Sequence, residues 1–69
     1  MKKTITIKGM SCEHCEMHTK EELEKIDGVI SAEASADKEQ AVVELDKEVA
    51  EEEFEKAVEK AGYEYIKTV

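Results

Sequence analysis

The sequence predicts a single α+β domain, spanning residues 1–69, in which four strands and two helices follow one another in the order βαββαβ. Two observations support this prediction. The spacing of apolar residues changes between two-residue and three- to four-residue steps along the chain, and each of the three glycines stands at such a change. A chain of 69 residues has room for one hydrophobic core only.

The first strand and the first helix are predicted on either side of Gly9. Polar and apolar residues alternate from Thr4 to Ile7, which is typical of a half-buried strand ending at that glycine. Beyond it, helical spacing relates Cys15, Thr19, Leu23 and Ile26. We expect Ser11 to cap the N-terminus of this helix and Gly28 to end it.

Two further strands are predicted in the middle of the chain, joined by a polar hairpin at residues 37–40. Alternate positions place Ala32, Ala34 and Ala36 on one face of the first strand, and Ala41, Val43 and Leu45 on one face of the second. Alanine is a weak strand former, so we expect the first of the two strands to lie at an edge of the sheet.

A second helix and a last strand complete the pattern. The helix is indicated by Phe54, Ala57, Val58 and Ala61 and ends at Gly62, and residues 63–69 form the strand. The element order is that of a ferredoxin-like βαββαβ sandwich, in which two helices cover one face of a four-stranded antiparallel sheet.

The charge and size of the chain restrict its function. Eighteen acidic residues against ten basic ones give a net charge of −8, which disfavours nucleic acids and anionic membrane surfaces as partners. Neither a membrane-spanning run nor a signal-peptide pattern is visible, so we expect a cytosolic protein that does not insert into membranes. Such a small domain has little room for an enclosed substrate pocket, so we expect a binding module and not an enzyme.

A C-x-x-C pair, Cys12 and Cys15, stands where the first strand gives way to the first helix. Backbone N–H groups and the helix dipole favour thiolates at such a junction, and thiolates select soft ions such as Cu(I). A zinc site needs four ligands, which would require a second molecule. A redox motif and two unreactive buried cysteines are further alternatives.

The chain resembles the heavy-metal-associated domain family, and in particular its stand-alone bacterial copper chaperones. The resemblance rests on Gly9-Met10-Ser11-Cys12-Glu13-His14-Cys15, on Asp27-Gly28-Val29 and on Gly62-Tyr63. It implies a cytosolic copper chaperone that binds one Cu(I) through both cysteines and passes it by ligand exchange to a copper-transporting P-type ATPase or a copper-responsive regulator. We expect a monomer without metal, and copper could bridge two molecules.

The residue before the first cysteine bears on the choice of metal. Family members tuned to zinc, cadmium or lead often carry Asp there, whereas Ser11 is a poor ligand for a divalent ion. The resemblance therefore implies Cu(I), with Ag(I) as its mimic. Hg(II) also accepts two thiolates, so a carrier for mercury or another thiophilic ion is the alternative function. A small thiol-disulfide protein is a third.

Secondary positions near the metal are also implied by the resemblance. Met10 is expected to pack beneath the loop and Tyr63 to shield the site. His14 is expected to point outward into solvent, with a secondary role in which its imidazole joins the ion in a dimer or docked complex. His18 and Met17 are expected at the surface. Unlike its relatives, which often have an apolar residue after the second cysteine, this chain has Glu16, which adds negative charge beside the thiols.

Overall fold

The computed structural model describes residues 1–69 and confirms the predicted βαββαβ order. Its elements are β1 (Lys2–Lys8), α1 (Glu13–Glu24), β2 (Val29–Ser35), β3 (Gln40–Leu45), α2 (Glu51–Ala61) and β4 (Glu64–Thr68). All strand pairs are antiparallel, and the strands lie in the order β2-β3-β1-β4. Neither helix has the length and apolar character needed to cross a membrane.

The core lies between the two helices and one face of the sheet. The central strands contribute Ile5 and Ile7 from β1 and Val43 from β3, all fully buried, as the alternation predicts. Helix α1 contributes Leu23 and Thr19, and helix α2 contributes Phe54, Ala57, Val58 and Ala61. Strand β2 lies at the edge and buries only Ala32 among its residues, which confirms the prediction from its alanines.

Helix α1 begins and ends at residues other than those predicted. The chain stays extended through Cys12, which occupies the N-cap position, so Ser11 lies one residue too early to cap the helix. The helix ends at Glu24, and Gly28 lies beyond it. Glycine is needed at position 28 for a different reason, because the side chain of Val49 lies close to its backbone. The φ of Gly28 is +106°, and a Cβ there would lie 2.9 Å from Cγ2 of Val49. The end of α2 is as predicted, with Gly62 in the left-handed conformation.

The exposed edge of β2 is covered by carboxylates from α1. Glu16 accepts a hydrogen bond from the backbone N–H of Ala36 at 2.6 Å, and Glu24 accepts one from the N–H of Ala32 at 3.1 Å. An edge strand otherwise presents unpaired N–H groups that invite pairing with another chain. The two side chains therefore satisfy backbone donors and obstruct that pairing.

Candidate metal centre

The site is built on the loop between β1 and α1, where the chain reverses at Gly9. The φ of Gly9 is +103°, a conformation that residues with a Cβ rarely adopt. The side chain of Tyr63 lies against this glycine, since a Cβ there would be 3.5 Å from Cδ1 of the ring. The loop that follows α2 is thereby held over the loop that precedes α1.

The two cysteine sulfurs face each other across this loop. Their Sγ atoms are 3.0 Å apart, well beyond the ~2.05 Å of a disulfide bond, and both cysteines are free. Cys12 is exposed and Cys15 is half-buried. Since Cys15 lies in the first turn of α1, three residues after the N-cap Cys12, both side chains fall on the same side of the helix start.

The surroundings of Cys15 favour its thiolate. They lower the pKa of this thiol from 9.0 to about 6, chiefly because the backbone N–H of Ser11 donates a hydrogen bond to the sulfur. Hydrogen bonds from the side chains of Tyr63 and Cys12 act in the same direction and outweigh partial desolvation. Cys15 is therefore mostly ionised at neutral pH, and the thiolate is the form that binds metals.

Tyr63 serves as a hydrogen-bond donor to this thiolate. The interaction with Cys15, together with burial, raises the pKa of the Tyr63 hydroxyl to about 12, so the hydroxyl keeps its proton at neutral pH. The aromatic ring covers one side of the loop, against Gly9. The structure thus places Tyr63 next to Cys15.

A polar contact supports the loop from below. Met10 is only 7% exposed, and its Sδ lies 3.4 Å from the hydroxyl of Thr19, which is fully buried. The same hydroxyl donates to the carbonyl oxygen of Cys15 at 2.9 Å. Sequence reasoning placed Thr19 on the inner face of the helix but missed this role. The available signal was a hydroxyl four residues after Cys15, within reach of its carbonyl.

The remaining candidate residues surround the sulfurs at the surface. The hydroxyl of Ser11 lies 4.0 Å from the sulfur of Cys15. His14, His18 and Met17 are exposed on α1 and line a shallow depression beside Cys15. The carboxylate of Glu16 accepts a hydrogen bond from the backbone N–H of Ala36, the residue after β2, and the pKa of Cys15 is low despite this neighbouring acidic residue.

The convergent donors at this site are the two sulfurs. No group of three or more His, Cys, Asp or Glu side chains is arranged to hold a metal ion. The two sulfurs therefore offer a pair of soft donors, and the side of Cys12 is exposed to solvent.

Comparisons with known proteins identify several classes of relative. A copper chaperone CopZ from Staphylococcus haemolyticus is 41% identical over 63 residues, covering 90% of this chain and 93% of that protein. The periplasmic component of a mercuric transport protein from Salmonella typhi is 39% identical over 61 residues, covering 87% of this chain and 67% of that protein.

Solved structures with the same fold include both carriers and transporter domains. A CopZ metallochaperone matches with a TM-score of 0.88 and 33% identity, over 96% of this chain and all of that one. The N-terminal domain of a potential copper-translocating P-type ATPase from Bacillus subtilis, solved in its Cu(I)-loaded state, matches with a TM-score of 0.79 and 34% identity, over 93% of this chain and 81% of that one.

The family match covers the site and nearly all of the fold. The heavy-metal-associated domain matches residues 4–64, from β1 to the first residue of β4, and so includes both cysteines and Tyr63. The chain belongs to the heavy-metal-associated domain family.

Proposed function

We propose that the protein is a cytosolic copper chaperone that binds one Cu(I) between Cys12 and Cys15. The observation that carries this proposal is the pair of free, facing sulfurs 3.0 Å apart, one of them exposed. The donor set supports a soft ion, because Cu(I) is satisfied by few thiolates whereas structural Zn²⁺ takes four ligands. The copper chaperones among its relatives support the same cargo.

Binding requires the sulfurs to separate. If a metal–thiolate bond of about 2.3 Å is taken from zinc sites, an ion held in line between two sulfurs needs them about 4.6 Å apart. The present separation is 3.0 Å. Cys12 lies on the exposed side of the loop and is free to rotate outward, while Cys15 is held in the first turn of α1. We therefore assign the opening movement to Cys12.

The exposure of the site to solvent allows the ion to be transferred to an acceptor protein by ligand exchange. An incoming thiolate can approach an ion that has only two protein ligands, form a three-coordinate intermediate, and displace first one cysteine and then the other. The proposed recipient is a copper-transporting P-type ATPase domain or a copper-responsive regulator. The Cu(I)-loaded ATPase domain of the same fold supports the first of these recipients.

The other proposed roles follow from contacts around the sulfurs. Met10 and Thr19 support the loop, and Tyr63 covers one side of the site and donates to Cys15. Ser11 orients the Cys15 thiolate through its backbone N–H and is not itself a ligand. None of these side chains is assigned a bond to copper.

A titration of the reduced protein with Cu(I), in competition with a chelator of known affinity, tests the function. We expect one Cu(I) per chain with a Kd below about 10⁻¹² M. Cys12→Ser and Cys15→Ser should each abolish this retention, whereas Ser31→Ala, at an exposed position of β2, should leave it unchanged. Failure of the wild-type protein to compete would refute the proposal.

Mercury is the second candidate cargo, and the mercuric transport relative favours it. Two thiolates satisfy Hg(II) as they do Cu(I), and Ag(I) should bind in the place of copper. Exchange with the ATPase domain distinguishes the two functions. Transfer of Cu(I) within seconds supports the chaperone, whereas retention of copper and release of Hg(II) to a thiol acceptor would support the mercury carrier.

A further inference from the structure

The two histidines of the chain, His14 and His18, lie one helical turn apart on α1. Both are exposed, and both line one shallow depression of about 320 Å³ together with Glu21. Residues four apart on a helix have their Cβ atoms about 5–6 Å from each other. Two imidazoles at this spacing are the pair that binds zinc on one helix face in H-E-x-x-H sites.

We propose that His14 and His18, with Glu21 as a third ligand, form a second metal site that takes a borderline divalent cation such as Zn²⁺ or Cu²⁺. Glu21 lies three residues after His18 and seven after His14, so all three side chains share one face of the helix. Imidazole and carboxylate ligands suit these ions, whereas the thiolate pair suits a soft monovalent one. The two sites would therefore differ in the ions that they select.

The helix backbone holds the ligands in register, but their side chains have to rotate to meet one ion. No three ligand side chains converge in the structure, so binding has to order exposed side chains. We therefore expect a Kd on the order of 10 µM, far weaker than the thiolate site. The net charge of −8 favours the approach of a cation.

The thiols have to be removed before the proposed site is measured, because Cys15 lines the same depression. The probe is Zn²⁺ alone, titrated into the full chain carrying Cys12→Ser and Cys15→Ser and followed by calorimetry and by ¹H NMR of the imidazoles. With only two histidines, the single variants assign both imidazole spectra. We expect one Zn²⁺ per chain and a shift of both sets of signals together.

Loss of a ligand should weaken this binding in a graded way. His14→Gln and His18→Gln should each raise the Kd at least tenfold, and Glu21→Gln should raise it about threefold. Glu59→Gln, at an exposed position of α2, removes the same charge as Glu21→Gln and should leave the Kd unchanged. Ca²⁺, which prefers oxygen ligands, should not shift the imidazole signals.

Three outcomes would overturn the proposal: an unchanged Zn²⁺ affinity in His18→Gln, shifts confined to one imidazole, or no binding below about 1 mM. If the double serine variant does not fold, as judged by circular dichroism, the same titration is made on wild-type protein with both thiols alkylated. Because the thiols are absent or blocked in each experiment, its failure would leave the proposed copper function untouched.

Discussion

The hydroxyl of Thr19 lies 3.4 Å from the sulfur of Met10 and joins the first turns of α1 to the loop that carries the cysteines. Thr19 is fully buried and also donates to the carbonyl of Cys15, so its single proton is shared between two acceptors. A buried hydroxyl without partners costs free energy. The contact therefore positions Met10 and Cys15 relative to each other and satisfies the hydroxyl.

Thr19→Val tests this relationship, since valine has nearly the same shape and lacks the hydroxyl. We expect the free energy of unfolding to fall by about 1 kcal/mol, from the loss of a buried hydrogen bond, as measured by urea denaturation. Cu(I) retention should weaken much less than in Cys15→Ser. Thr4→Val, on the half-buried outer side of β1, is the matched control, and an equal loss of stability there would contradict a role specific to the loop.

The lowered pKa of Cys15 predicts a pH dependence of its reactivity. With a pKa of about 6, the rate of alkylation of this thiol by iodoacetamide should reach half its maximum near pH 6, as followed by mass spectrometry of the modified peptide. An ordinary thiol, with a pKa of 9.0, would reach it three pH units higher. A midpoint above pH 8 at Cys15 would contradict the hydrogen bonding described for the metal-free site.

The same shift has a consequence for the stability of the metal-free protein. Because the folded pKa of Cys15 lies below the unfolded one, the thiolate contributes stability that is complete above pH 9 and is lost as the pH falls through about 6. The urea midpoint of the wild-type protein should therefore rise between pH 6 and 9 relative to that of Cys15→Ser.

Tyr63→Phe removes the hydroxyl that donates to Cys15 and keeps the ring that packs on Gly9. We expect the pKa of Cys15 to rise, and the alkylation midpoint to move to higher pH with it. Cu(I) affinity should change by no more than about 1 kcal/mol, because the hydroxyl is not a ligand; Tyr63→Ala should stay within the same bound. A loss as large as that in Cys15→Ser would make Tyr63 a primary ligand and would refute the assignment.

Periodicity was sufficient to predict the order of the elements and the buried faces of those that contribute to the core, although not a buried face for β4. Positions such as Val43 and Phe54 follow the simple rule that one face of each element is buried, and the structure buries them. The start of α1 could not be predicted as well, because a cap depends on where the chain leaves the extended conformation. Ser11 is a good capping residue by type, but Cys12 is still extended and occupies the N-cap position.

The features of the site likewise include some that the local sequence predicts and others that it does not. The C-x-x-C spacing and its place at the start of a helix indicate two convergent sulfurs, because residues 12 and 15 are three residues apart, which is nearly one helical turn. The contacts of Glu16 and Tyr63 depend on elements distant in sequence meeting in the fold, which no local pattern describes. Glu16 shows this most clearly, since its partner Ala36 lies 20 residues along the chain on the sheet edge.

The contact between Glu16 and Ala36 carries the last prediction, because it covers an N–H group at the open edge of the sheet. Glu16→Ala should lower the free energy of unfolding by about 1.5 kcal/mol, since it removes an ionised acceptor, and should leave that edge free to pair with a second molecule. We expect concentration-dependent dimerisation of the metal-free variant in sedimentation experiments. Glu16→Gln keeps an acceptor oxygen and should remain a monomer; dimerisation of both variants alike would show that charge alone, and not the hydrogen bond, keeps the edge unpaired.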